Sequence, residues 1–249
     1  MDYSRTLFVS LLSSVSLTLS LNAGPPLITD DPDTPGPNHW EINLAATMEK
    51  FDSEWGWELP LLDINYGVGE RIQLKYEVPW ILVDGDGQEH KSGLGNSEFG
   101  IKWRFLDQES SGIAISTYPQ FSFNSLRSSV DREIVDDGSE FVLPFQIART
   151  FGAAFVYVEV GYAWLEHLSD EWAYGIAVEY EIGETFKLLG EFHGVAEQGF
   201  QNDELLFNLG FKWHFHENVA LMGSTGQSLR EPEGDEQFIV SYLGFQFTF

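Results

Sequence analysis

The sequence predicts an all-β fold of one kind, a transmembrane antiparallel β-barrel of about twelve strands. Three observations predict it. Apolar and polar residues alternate with period two from Trp40 to Phe249, the pattern of strands with one apolar and one polar face. No run of 18 apolar residues follows the N-terminus, so a spanning helix is excluded and any membrane contact must come from strands. Short and long connections alternate along the chain, as periplasmic turns and extracellular loops do.

In chain order, residues 1–23 read as a secretory signal peptide. Arg5 supplies a positive start, Leu7 to Leu21 an apolar stretch diluted by serine, and Ala23 a small residue before a cut near Gly24. Leu21 is large for its place ahead of that cut, which leaves an uncleaved anchor as the alternative reading. Residues 24–38 hold the proline-rich stretch PPLITDDPDTPGPN, with no periodicity, and form a lead-in that either folds into the barrel mouth or hangs free in the periplasm. The barrel itself is expected over residues 39–249.

The first run places Trp40, Ile42, Leu44, Ala46 and Met48 on one face, and the second places Leu62, Ile64, Tyr66 and Val68 opposite Asp63 and Asn65. The third and fourth are the clearest. Ile72, Leu74, Tyr76, Val78 and Trp80 oppose Gln73, Lys75 and Glu77, while Phe99, Ile101, Trp103 and Phe105 oppose Glu98, Lys102 and Arg104. Gly112 to Phe123, Glu140 to Thr150 and Phe155 to Trp164 are less regular. The pattern returns in the runs around Tyr174 to Tyr180, Phe186 to Phe192 and Leu205 to Phe215. It is completed by Val219 to Gln227 and Phe238 to Phe249. Three-residue turns are expected to pair Val68 with Ile72, Ile182 with Phe186, and Phe215 with Val219.

Composition narrows the function classes. Twenty Phe, 9 Tyr and 8 Trp suit aromatic girdles, and 24 glycines suit tight turns. The absence of cysteine excludes disulfides and thiolate metal sites. A net charge of −26 argues against nucleic acid or anionic lipid as a partner, since phosphate binding needs clustered Lys and Arg.

The segment PLITDDPDTPGPNHWEINLA, LKYEVPW at Leu74 to Trp80 and GLGNSEFGIKWRFLD at Gly93 to Asp107 together resemble the MetA-pathway of phenol degradation family. The likeness runs from Pro26 to the C-terminus. It implies an outer-membrane, transport-related barrel associated with the breakdown of aromatic compounds.

The inward faces are expected to gather Lys75, Glu77, Glu98, Lys102, Arg104, Glu179, Glu181, Lys187, Glu191, His193 and Lys212, together with His214, as a charged lumen. Such groups cannot face lipid cheaply. Glu181 should lie opposite Lys187, and Glu77 should reach Lys102. These residues either fill and rigidify a small barrel or line a selective pore. No catalytic residue, metal or cofactor is expected: no Gly-x-Ser-x-Gly or His-x-Ser occurs, and His193 beside Glu191 reads as a lumen residue rather than a base. DGDG at Asp84 to Gly87 lacks the rest of a calcium loop. The acidic stretches Asp131 to Glu140 and Glu231 to Glu236 could collect cations or simply keep the loops soluble.

Pro60, Pro79, Pro119 and Pro144 fall toward the loop ends of strands two, three, five and six. Proline cannot donate to a ladder, so either a lateral gap or plain strand ends are expected there. At the other terminus, Phe245, Phe247 and Phe249 form an assembly signal for the barrel assembly machinery, and the last strand should close on Trp40, Ile42 and Leu44. Outer-membrane lipid, lipopolysaccharide and a small solute complete the expected partners. The expected function is passive uptake of small, hydrophobic or aromatic molecules. A non-conducting structural barrel is the alternative, and a lipid hydrolase a more distant one.

Overall fold

The computed structural model describes residues 24–51, 54–85, 90–200, 203–230 and 238–249. The signal-peptide expectation on residues 1–23, much of DGDG and the acidic stretch Glu231 to Glu236 lie outside them. No described helix is long and apolar enough to cross a membrane.

The wall is one antiparallel sheet of twelve spans. Fourteen strand segments are present, and two spans are each made of two segments, which leaves twelve. They are β1 (Trp40–Phe51), β2 (Glu54–Val68), β3 (Ile72–Gly85), β4 in two pieces (Lys91–Leu94 and Asn96–Leu106), and β5 in two pieces (Ala114–Thr117 and Gln120–Asn124). The rest are unbroken: β6 (Ser139–Phe151), β7 (Ala154–Leu165), β8 (Glu171–Ile182), β9 (Phe186–Glu197), β10 (Asp203–His216), β11 (Val219–Arg230) and β12 (Ile239–Thr248). Two short helices, α1 (Gln108–Ser111) and α2 (Arg127–Asp131), sit in the β4–β5 and β5–β6 connections.

Closure comes from β1 pairing with β12, Glu41 opposite Thr248 through to Lys50 opposite Ile239. Trp40 and Phe249 also exchange backbone bonds, N–H to carbonyl at 2.7 and 3.1 Å, so the sheet has no edge at the turn end. The outer face is mostly apolar: Phe99, Ile101 and Trp103 are each 53% exposed, a surface that a hydrocarbon environment covers. Aromatic side chains mark both ends of that belt. Trp40, Tyr66, Trp103 and Trp213 stand toward the turns, and Trp57, Phe141, Trp164 and Trp172 toward the loops.

Two of the three expected turn pairings are present, Val68 with Ile72 and Ile182 with Phe186. The third differs. A bulge between His214 and His216 makes His216 the partner of Val219, because the extra residue, Phe215, is taken up in the β10 strand itself. The fifth run also differs from a continuous strand, since Tyr118 and Pro119 separate its two pieces.

Candidate functional site

The lumen is occupied by the lead-in. Residues 26–32 run inside the wall, with residues 33–38 at its turn-end mouth, and Leu27, Thr29 and Asp30 are 3%, 0% and 2% exposed. The wall makes room for them with small inward residues. Leu27 packs in a cluster with Ala114, Ala148, Tyr157, Ala177 and Leu189. A side chain at Gly175 would put its Cβ 2.0 Å from Thr29 Oγ1, and one at Gly67 would lie 1.7 Å from the Gly36 carbonyl oxygen. Glycine at those two positions is required by the close approach of the segment.

Polar anchors hold the segment on both sides. On β9, the Glu191 carboxylate accepts the backbone N–H groups of Ile28 (2.8 Å) and Thr29 (2.7 Å), and the Asn208 amide (3.0 Å) from β10. On β4, the Lys102 ammonium pairs with Asp30 at 2.7 Å and donates to the Asp31 carbonyl at 2.8 Å. Arg104 pairs with Asp33 at 3.0 Å and with Asp107 at 3.0 Å. A buried charge pair such as Lys102–Asp30 gives little net stability compared with an apolar filling, but removing one partner strands the other charge. The segment is therefore tied to the wall by groups that specify where it sits.

The twelve lumen candidates named from the sequence, His214 included, lie on inward strand positions, but two expected pairs are rearranged. The register puts Glu77 opposite Glu98 and Lys102 opposite Gln73, four residues from the pairing expected. Glu77 therefore pairs with Lys75 at 3.1 Å, Lys75 also with Glu98 at 2.9 Å, and Lys102 turns to the lead-in. Glu181 is opposite Lys187 as expected, yet the ion pair is Lys187–Glu179 at 2.8 Å, one step along the same face. Lys212 and Glu181 border a remaining cavity of about 360 Å³ at the turn end, together with Glu41, Asp63, Lys187 and Asp33. His193 is 3% exposed, and its neighbour Glu191 spends its oxygens on the lead-in and Asn208.

The proline positions share one band of the wall. The β2 ladder skips between Glu58 and Leu61, around Pro60. Pro79 accepts the Gly95 N–H at 2.9 Å where β4 is interrupted. Pro119 lies in the interruption of β5 and accepts from Ile101 N–H at 3.0 Å, while Pro144 accepts from Tyr118 N–H at 3.2 Å and the Thr117 hydroxyl at 2.9 Å. Five neighbouring spans, β2 to β6, are thus irregular at one level, bridged by these few bonds. Leu61, Ile81 and Val142 face inward there, each 3% exposed or less, and Ile134 from the β5–β6 connection closes over Gly93. Lys91 holds the Glu133 carboxyl of that connection below its ordinary range through a 2.9 Å hydrogen bond.

Sequence reasoning did not find the socket for the lead-in. The signal was present in the inward small residues Ala114, Ala148, Gly175, Ala177 and Gly210, which leave a bore that strand side chains do not fill.

Among solved structures, the chain is similar to an outer membrane channel from Pseudomonas putida F1, at 12% identity and a TM-score of 0.72, over 89% of this chain and 99% of that one. It is also similar to the KdgM porin, at 12% identity and a TM-score of 0.57, over 84% and 99% of the two chains. The CymD monoaromatic hydrocarbon channel matches at 8% identity and a TM-score of 0.51, over 86% and 89%. These likenesses show the barrel fold. No family model and no curated protein matches the chain, so the family resemblance read from its sequence phrases gains no support there.

Proposed function

We propose that this chain is an outer-membrane channel for passive uptake of small, hydrophobic or aromatic molecules. It reaches the membrane by way of a signal peptide in residues 1–23 and is assembled through its last strand. The observation that carries the reading is the way the lumen is filled. A barrel built only as a rigid pin would close its bore with strand side chains, whereas here inward alanines and glycines leave a bore that a non-strand segment occupies. Such a filler can leave without unfolding the wall.

The band of interruptions across β2 to β6 supports the apolar choice of solute. Apolar groups line the lumen at that level (Leu61, Ile81, Val142), and the ladder is thinnest beside them. A solute that partitions into hydrocarbon would leave there sideways, between lumen and bilayer. The similarity to a channel described as one for monoaromatic hydrocarbons agrees with this choice.

Planar-bilayer recordings of the purified protein test the proposal, paired with a variant lacking residues 24–38. The full chain should show small conductance steps and the shortened chain steps several-fold larger. A silent shortened chain, correctly folded, would establish the non-conducting alternative.

A further inference from the structure

We infer that the loop-side half of the lumen is a cation-selecting filter, formed by a ring of glutamates above the lead-in. This inference rests on the channel reading and specifies which solutes can use it. The ring can be followed along the strand register. On β1 and β2, Glu49 stands opposite Gly56 and Glu58 opposite Thr47, diagonal neighbours on one inward face. Glu77 on β3 stands directly opposite Glu98 on β4, and Ser122 on β5 stands opposite both Glu98 and Glu140 of β6. Glu171 on β8 is opposite Glu197 on β9, and Glu204 on β10 is opposite Val195, two residues from Glu197 on the same face.

Lys75 stands at the lower edge of the ring, paired with Glu77 and Glu98. Lys102, Arg104, Lys187 and Lys212 all face the lumen below it, around the lead-in and the turn-end cavity. Charge is therefore sorted along the bore, acidic toward the loops and mixed toward the turns.

A second observation points to a cation independently of the carboxylates. A buried amide at this level, Gln120, presents its acceptor oxygen Oε1 without a hydrogen-bond partner among the described residues (residue 3% exposed). Gln120 shares a lumen face with Ser122, whose hydroxyl donates to Glu98 at 3.1 Å. An unpaired buried acceptor is costly, and beside carboxylates the group that satisfies it is a donor-bearing cation, such as an organic ammonium, or a metal ion. Rings of Glu in low-dielectric walls favour cations and repel anions. Neutral and cationic solutes should pass this level, and aromatic carboxylates should not.

The test is the reversal potential of the full chain in a planar bilayer under a KCl gradient, with Glu49→Gln, Glu140→Gln and Glu171→Gln combined as the second sample. The expected result is a reversal potential on the K⁺ side, several-fold selectivity for K⁺ over Cl⁻, and a clear loss of that preference in the triple variant. A wild-type reversal potential at zero or on the Cl⁻ side overturns the filter, whatever the variant does. So does an unchanged preference in a folded variant. Conductance without K⁺ preference overturns this inference alone, whereas no conductance in either the full chain or the chain lacking 24–38 overturns the channel reading and the filter with it.

Discussion

The two sides of the barrel are built to different standards. From β7 to β9 the ladder is unbroken: β8 pairs with β9 from Glu171 opposite Glu197 to Ile182 opposite Phe186 without a skip, and with β7 over most of its length. From β2 to β6 every span is bulged, interrupted or carries a proline at one shared level. The lead-in joins the two sides, bonded through backbone N–H groups to Glu191 on the regular side and through Asp30 to Lys102 on the irregular one. The regular side acts as the fixed support and the irregular side as the part of the wall with strength to spare least. Only a few carbonyl bonds, such as Tyr118 to Pro144, hold it together there.

The largest effect on this arrangement is expected from Lys102→Met. It leaves Asp30 buried without its cation, an uncompensated charge that costs about 3–5 kcal/mol, so the lead-in should detach from β4. Limited proteolysis of folded protein would then cut within residues 24–38, and wild-type resistance in the variant would contradict the anchor. On the opposite side, Glu191→Gln keeps one acceptor oxygen and puts an NH2 donor in place of the other, so one of the charge-assisted hydrogen bonds to Ile28 and Thr29 becomes neutral and the other is lost. Those contacts are worth about 1.5–3 kcal/mol each when charged, and about 1 when neutral. The same digestion should show a weaker loosening than Lys102→Met gives, and an equal or larger one would mean that the regular side bears most of the attachment.

Removing Phe249 takes away the two backbone bonds to Trp40, about 1 kcal/mol each, at the seam where β12 meets β1. The yield of heat-resistant folded barrel should drop while any barrel that does form keeps wild-type conductance. Normal yield would show that closure does not depend on this residue. The smallest effect is reserved for the irregular band: Pro79→Val with Pro144→Val restores donors to the ladder and should shift stability by less than about 1 kcal/mol. Uptake of apolar solutes should nevertheless slow. An unaltered rate in a folded variant argues against a sideways route.

Much of the wall was legible in the chain because each strand announces itself locally. Ile72 to Trp80 and Phe99 to Phe105 alternate so strictly that their faces and the Val68–Ile72 turn follow from period two and turn length. The Phe215–Val219 pairing failed because a bulge leaves no mark in alternation. The Glu77–Lys102 pairing failed because alternation sets which face a residue takes and not how far one strand is staggered against the next across a long loop. Charge partners were therefore harder to read than charge positions: Lys102 was placed on the right face, and its partner, Asp30, came from the lead-in far away along the chain.

By itself, then, the sequence determined an antiparallel membrane barrel with an apolar outside, a charged inside and an N-terminal segment that could not be a strand. Those properties rest on side-chain alternation and on proline's missing donor, both of which act over a few residues. Only the tertiary structure decided that the segment lies within the bore, that Glu191 and Lys102 hold it, and that Glu77 stands opposite Glu98 and Glu171 opposite Glu197 across neighbouring strands. Each of those depends on strand stagger around a closed sheet, which brings distant residues to a common height and has no local signature.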